Sequence, residues 1–283
     1  MLGKENMTTQ TSSPVPTDVG RLYDTFNDTE TLHFGYWETP EPDDSIEQAA
    51  PRLTDQVINR LGIKAGQRVL DAGCGIGEPA IRVAQETGAN IVGVTVSNEQ
   101  VRRATELAEK SGVSDKVSFQ FADAMNLPFD DNSFDAAYAL ESIIHMDRVT
   151  ALREFRRVVR PGGNIVFTDL FARAPKPVDK PSVIDQLVAL WLLSEPIAIR
   201  EYGPVVFEAG LQLREVKDIT DQVFGRALRK FADRLRNQDT TSIPAEIINR
   251  LENDQNLQLA QFMEDLVASP ELGYLIVSTK NLK

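Results

Sequence analysis

Two hydrophobic periods alternate along most of the chain. The run "RVLDAG" is almost continuously apolar, and "EPAIRVAQET" behind it spaces its apolar residues as a helix does. "NIVGVTVS" follows, rich in β-branched residues. "EQVRRATELAEKSG" then predicts an amphipathic helix closed by Gly112, where a terminating glycine belongs. "VSFQFAD", "FDAAYALE", "VTALREFRRVVR" and "GNIVFTDLF" continue the rhythm. Strands separated by helices of this length need crossover connections, so the pattern predicts an α/β fold with a mostly parallel sheet and helices on both faces.

The flanks are organised differently. Residues 1–16 are polar, include Pro14 and Pro16, and read as a disordered tail. Thr17 as cap and a stripe of Val19, Leu22, Tyr23 and Phe26 predict a helix. "LHFGYWE" gathers rings around Gly35, Pro40 and Pro42 mark a loop, and Ser45 starts a helix that runs to about Leu61. After Phe171 comes a proline-rich connector, "ARAPKPVDKP", and an apolar helical segment, "SVIDQLVALWLLSEP". "LQLREVKDIT" predicts a strand, two charged amphipathic helices follow, and "GYLIVSTK" predicts the last strand. The stretch from about Val178 to Pro204 reads as an insertion between sheet elements, the type of segment that serves as a lid or partner surface.

Composition narrows the partners. The chain has 283 residues, 42% of them hydrophobic, which is ample for a sizeable core. With 30 basic and 42 acidic residues its net charge is −12, which disfavours nucleic acid and anionic membrane as partners and points to a small acceptor. One cysteine precludes an internal disulfide, and with two histidines a metal site is not expected. No segment reads as a signal peptide or membrane span, so a cytoplasmic setting is expected.

The candidate chemistry starts at "VLDAGCGIGEP", Val69 to Pro79. Gly73, Gly75 and Gly77 fall between a predicted strand and a predicted helix, where bare backbone and free helix N–H groups can meet a ligand. A Walker-type phosphate loop would continue with Lys and Ser or Thr. A dinucleotide fingerprint would read G-x-G-x-x-G, whereas the spacing here is G-x-G-x-G with Asp71 ahead of it. Taken alone, the loop also fits a purely structural tight turn. Cys74, inside it, reads as a small packed thiol.

Together with "IVGVTVSNEQV", "FADAMNLPFDDNSFDAAYALESIIHM" and "REFRRVVRPGGNIVFTD", the glycine loop resembles class I S-adenosylmethionine (SAM)-dependent methyltransferases over roughly Thr17 to Phe171. The resemblance implies a Rossmann-like seven-stranded sheet and SAM as cofactor. It divides the chain into a tail (1–16), an N-terminal helical cap (17–62), a SAM-binding core (63–175), an inserted lid (176–204) and the remainder of the core (205–283). It also implies that Asp71 receives the ammonium of the cofactor's amino-acid end, beside Gly73, Gly75 and Gly77. Many relatives carry a ribose-binding acid after the second strand; here Gln100, with Thr95 nearby, takes that role. Asp123 and Ala124 fall at the adenine site, Leu140 after the fourth strand, and "RPGG" (Arg160 to Gly163) at a structural turn. The segment "YDTFND…LHFGYW" resembles the cap of small-molecule methyltransferases, which implies cofactor contacts at Tyr23, His33, Phe34 and Gly35, while Trp37 reads as core.

Two acceptor chemistries stay open. Sugar O-methyltransferases read Glu-Ser-Leu-His-His-Met after the fourth strand, and this chain reads "ESIIHM", with Ile144 at the first histidine. His145 is then either the base, assisted by Glu141 or Asp169, or a histidine that merely holds its loop. An alkene acceptor needs no early base, and its carbocation asks for apolar walls, ring faces or a carboxylate. Phe171, Trp191, Tyr202 and Phe207 are candidates to line such a pocket beneath "LVALWLL", or that stripe packs on another copy of the chain. With the missing histidine, the resemblance to the teleocidin-type terpenoid C-methyltransferase of indole alkaloids puts prenyl C-methylation ahead of sugar or phenol O-methylation. A non-catalytic SAM-fold scaffold or regulator is the alternative of another class.

Overall fold

A computed structural model describes residues 16–25, 31–38, 44–174, 182–237, 239, 247, 255–269 and 271–283. The expected tail up to residue 15, Phe26 of the first stripe and residues 176–181 of the expected insertion lie outside the described residues.

Helix α1 (Pro16–Asp24) precedes α2 (Ile46–Leu61), which starts at a capping box between Ser45 and Gln48 and stops at Gly62 in the left-handed region. Strands and helices then alternate: β1 (Arg68–Ala72), α3 (Glu78–Thr87), β2 (Asn90–Thr95), α4 (Asn98–Lys110), β3 (Val117–Phe121), β4 (Ala136–Ala139), α5 (Arg148–Val158) and β5 (Asn164–Ala172). The remainder comprises α6 (Val183–Trp191), α7 (Tyr202–Glu208), β6 (Gln212–Asp218), α8 (Thr220–Arg236), α9 (Gln255–Ala268) and β7 (Leu272–Lys280). The sheet order is β3-β2-β1-β4-β5-β7-β6, parallel except at β7, which runs antiparallel to both neighbours.

Alternation within the strands divides the core in two. Val69 of β1, Val166 and Leu170 of β5, and Tyr274 and Ile276 of β7 join α2, α3, α6, α8 and α9 on one face. Leu70, Phe167, Phe171, Leu275 and Val277 point the other way, against α5 and α7. The inserted stretch crosses the carboxyl edge of the sheet between these faces. α6 packs on the Tyr274 face, Ser194 N–H bonds to Ile144 O at 2.7 Å, and Tyr202 arrives on the Phe167 face. Trp37 is buried with Ile46, Ala49 and Ala227, and so belongs to the core.

Candidate functional site

The first two crossovers carry the chain from β1 outward to β3, and β4 then returns to the other side of β1. The carboxyl ends of β1 and β4 therefore frame the point where the strand order reverses, the usual ligand crevice of open α/β sheets. A cleft of about 740 Å³ lies there. Tyr23, Gly73, Gly75, Thr95, Gln100, Asp123, Ala124 and Leu140 line it, as do Glu141 and His145. Glycine is required on its floor: Gly73 has φ +85°, and a Cβ there would lie 2.2 Å from Ser142 Cβ.

The cleft's polar groups are held by their neighbours. Asp71, at the end of β1 just before the glycines, is 1% exposed and is not on the cleft lining, and its Oδ2 has no hydrogen-bond partner. Burial raises its pKa to about 7, and Tyr138 and His33 offset only part of the effect. Ser97 caps α4 through Gln100 N, and the Thr95 hydroxyl donates to Gln100 Oε1, which leaves that amide's N–H groups available. Asp123 Oδ1 accepts from Met125 N at 2.8 Å, fixing the carboxylate at the rim.

A second cavity of about 720 Å³ adjoins the first, and Tyr23 and Glu141 line both. Its walls are Phe34, Ile144, Leu170, Leu187, Trp191, Leu193, Phe224, Leu228, Phe231, Met263 and Tyr274. At the junction His145 Nδ1 lies 2.9 Å from Leu192 O, and its Nε2 lies 3.0 Å from the Tyr23 hydroxyl. A carbonyl can only accept, so Nδ1 carries the proton and Nε2 is the acceptor for Tyr23. Burial lowers the His145 pKa to about 4, which keeps this ring neutral at pH 7. Burial first, and the Glu141 charge second, hold the Tyr23 phenol protonated. Glu141 sits at φ +52°, a strained conformation for a side chain of its kind. Its Oε1 accepts from Phe34 N at 2.9 Å and from the Tyr274 hydroxyl at 2.8 Å, and burial raises its pKa.

Several residues lie elsewhere than the sequence suggests. Asp169 lines neither cavity: Arg148 grips both of its oxygens, at 2.6 and 3.1 Å, and the Tyr202 hydroxyl donates to it at 2.7 Å. Buried and fully paired, it ties β5 to α5 and α7. Phe171 and Tyr202 pack on the opposite sheet face, because β5 turns Leu170 toward the cavity instead. Phe207 is 82% exposed on α7. Of the four expected acceptor residues, Trp191 alone lines the second cavity.

Four expected cofactor contacts are also displaced. Phe34 faces the second cavity, whereas Gly35 lets the chain pass Ala49, whose Cβ would be 2.3 Å from an added Cβ. His33 is clasped between Phe34 O at 2.8 Å and Glu78 Oε2 at 3.2 Å. Burial pulls its pKa down, but Glu78 and Glu141 outweigh that, and the net shift is upward. Gly77 caps α3 and makes room for Phe119 and Ala104, so its role is packing. Sequence reasoning missed Gly20, Leu32 and Ser142 on the first cavity, and Phe224, Phe231, Met263 and Tyr274 on the second. Phe224, Leu228 and Phe231 fall in a segment read only as a charged amphipathic helix.

Comparison with known proteins fits this geometry. The methyltransferase domain family matches residues 69–163. An O-methyltransferase (resE) of Aspergillus sclerotiorum is 36% identical over 96% of this chain and 100% of its own length. The 27-O-demethylrifamycin SV methyltransferase of Amycolatopsis mediterranei is 34% identical over 95% of this chain and 98% of its own. The crystal structure of the [4+2]-cyclase SpnF superimposes with a TM-score of 0.78 at 29% identity, covering 95% and 97% of the two chains. The cleft suits the cofactor of that family, since its glycine floor admits close approach and the buried Asp71 behind that floor keeps one carboxylate oxygen without a hydrogen bond. From sequence, sheet order and cleft together, the chain belongs to the class I S-adenosylmethionine-dependent methyltransferases.

Proposed function

We propose that this chain methylates a hydroxyl on a bulky, largely apolar natural product. The acceptor occupies the second cavity and the cofactor the first. The observation that carries this reading is the Tyr23–His145 pair at their junction, with His145 Nε2 held as a proton acceptor by the bond from Nδ1 to Leu192 O. The cofactor, when bound, supplies an electrophilic methyl on a sulfonium. The chain's part is to orient the hydroxyl, exclude water and receive the proton. Tyr23 lines both cavities, so its oxygen takes the acceptor's proton as its own passes to His145 Nε2. Asp71 and Gln100 would hold the ends of the cofactor, with Asp123 at the adenine. In this reading α6 and Trp191 form the lid over the acceptor. The two relatives named above also support it: one is named an O-methyltransferase and the other for a 27-O-demethyl compound.

Alkene C-methylation is the second reading. What favours it is the ring-lined wall of Phe34, Trp191, Phe224 and Phe231 around the Glu141 carboxylate, a setting that stabilises a cation. The distinguishing experiment starts with methyl-labelled SAM to identify the acceptor by mass spectrometry. Single-turnover rates of His145→Ala follow. Hydroxyl methylation predicts a loss of roughly 10²- to 10⁴-fold. A nearly unchanged rate with an altered product distribution would instead establish the alkene reading.

A further inference from the structure

The second cavity is apolar except where it meets the cofactor cleft, and its charged lining side chain among the described residues is Glu141. That carboxylate is held asymmetrically. Phe34 N–H and the Tyr274 hydroxyl both donate to Oε1, and among the described residues no hydrogen bond reaches Oε2. The backbone is committed as well, because Glu141 N–H donates to Thr168 Oγ1 at 2.9 Å while φ stays at +52°. A strained residue, tied by three hydrogen bonds, thus lines the wall that Tyr23 shares, with one carboxylate oxygen left without a hydrogen bond.

We infer that Glu141 determines acceptor specificity: Oε2 receives a second hydrogen donor, an O–H or N–H group beside the methylated hydroxyl, and turns away acceptors that carry an anion there. This rests on the hydroxyl reading given above. The physical reason is the chamber itself. A carboxylate oxygen in apolar surroundings gains more from a donor than it would in water, and a negative group brought next to it is repelled with little water to screen it. An acceptor with two neighbouring donors can place one at Tyr23 and the other at Glu141, which also fixes which of the two is methylated.

The test uses three naphthalene probes of one shape and the full chain saturated with S-adenosylhomocysteine. Calorimetry compares naphthalene-2,3-diol, 2-naphthol and 3-hydroxy-2-naphthoate. The diol is expected to bind roughly 10- to 100-fold more tightly than 2-naphthol, the range for a hydrogen bond to a charged group, and the naphthoate more weakly than either. Glu141→Gln is the informative variant. Its carbonyl oxygen still accepts from Phe34 and Tyr274, but an amide donor replaces Oε2. The diol preference should then shrink to within about threefold, and the naphthoate should gain. An equal diol preference in both proteins, no preference in the wild type, or no binding of either alcohol would overturn the inference. The wild-type ranking is a test even if the variant does not fold. Transfer of labelled methyl to the probes is scored separately. A diol bound with the expected preference yet never methylated would sink the hydroxyl reading and leave the role of Glu141 standing.

Discussion

Gly20 is where the cap helix touches the sheet core, and adding one methyl group there should disable the site while barely affecting the fold. In Gly20→Ala the new Cβ would lie 2.3 Å from Val96 O and 3.1 Å from Val96 C. Side-chain carbons do not approach backbone oxygens so closely, so α1 must withdraw by about 1 Å. Tyr23 lies one turn further along the same helix. A hydrogen bond of 3.0 Å to His145 would stretch to about 4 Å, beyond its useful range. The bond between Asp24 and Ser97, which ties α1 to the N-terminus of α4, is strained by the same movement.

The energies favour a functional defect over unfolding. Overpacking costs about 1–3 kcal/mol, whereas replacing glycine inside a helix returns up to about 1 kcal/mol. The net is a loss of about 1–2 kcal/mol, or some 2–4 °C in Tm for a chain of this size. Misplacing a reacting group by 1 Å costs about 10²-fold in rate. Because Gly20 lines the cofactor cleft, affinity for S-adenosylhomocysteine should fall too. Gly203→Ala, in α7, is the control: its Cβ would meet nothing within 4 Å, so turnover should be unchanged and stability the same or slightly higher. Scanning calorimetry, titration calorimetry and single-turnover rates on both variants decide the matter. Wild-type turnover and cofactor affinity in Gly20→Ala would refute the claim that α1 positions the site.

Two further outcomes follow from the buried charges. Asp71, whose carboxyl is raised to about 7 by burial, is largely neutral below that pH, and an arriving ammonium must ionise it. SAM binding should therefore release a proton at pH 6, and affinity should rise by up to about tenfold per pH unit toward pH 7, then level off; calorimetry in buffers of different ionisation enthalpy measures this, and no proton release at pH 6 would contradict the Asp71 contact. Arg148→Met should leave Asp169 as an unpaired charge at 0% exposure and destabilise the chain by about 3–5 kcal/mol in denaturant titrations, with cofactor affinity in the surviving folded fraction unchanged.

The sheet was legible because its signals are local. β1 to β5 and the helices between them each carry their own period, and Gly62, Gly77 and Ser45 mark boundaries by backbone chemistry that any sequence displays. Much of the first cleft was legible too: the glycine spacing marked Gly73 and Gly75, the family resemblance marked Thr95, Gln100, Asp123, Ala124 and Leu140, and the parallel sheet brings them to one edge. His33 and Gly35 failed this logic. They lie on a connecting segment whose path depends on Ala49 and Glu78, far away in sequence.

The second cavity was the least legible part, and β5 shows why. Leu170 and Phe171 are adjacent and both apolar, in a strand buried on both faces, so composition offers nothing to say which faces the cavity. A one-residue change in that assignment exchanges the entire wall. The remaining walls come from α6, α8, α9 and β7, up to 240 positions beyond Phe34 as numbered here, with Tyr274 the last of them. In α8, Phe224, Leu228 and Phe231 follow the spacing of any core stripe, and a helix face that closes a cavity has the same pattern as one that packs against protein. Polar residues are what separate the two cases. Tyr23 and Glu141 line one end of an otherwise apolar enclosure, where His145 bonds to Tyr23 and Tyr274 to Glu141. The cavity's chemistry therefore follows from the meeting of Tyr23 with Glu141 and His145, more than a hundred positions further along the chain, and its size from apolar side chains spaced as in any core.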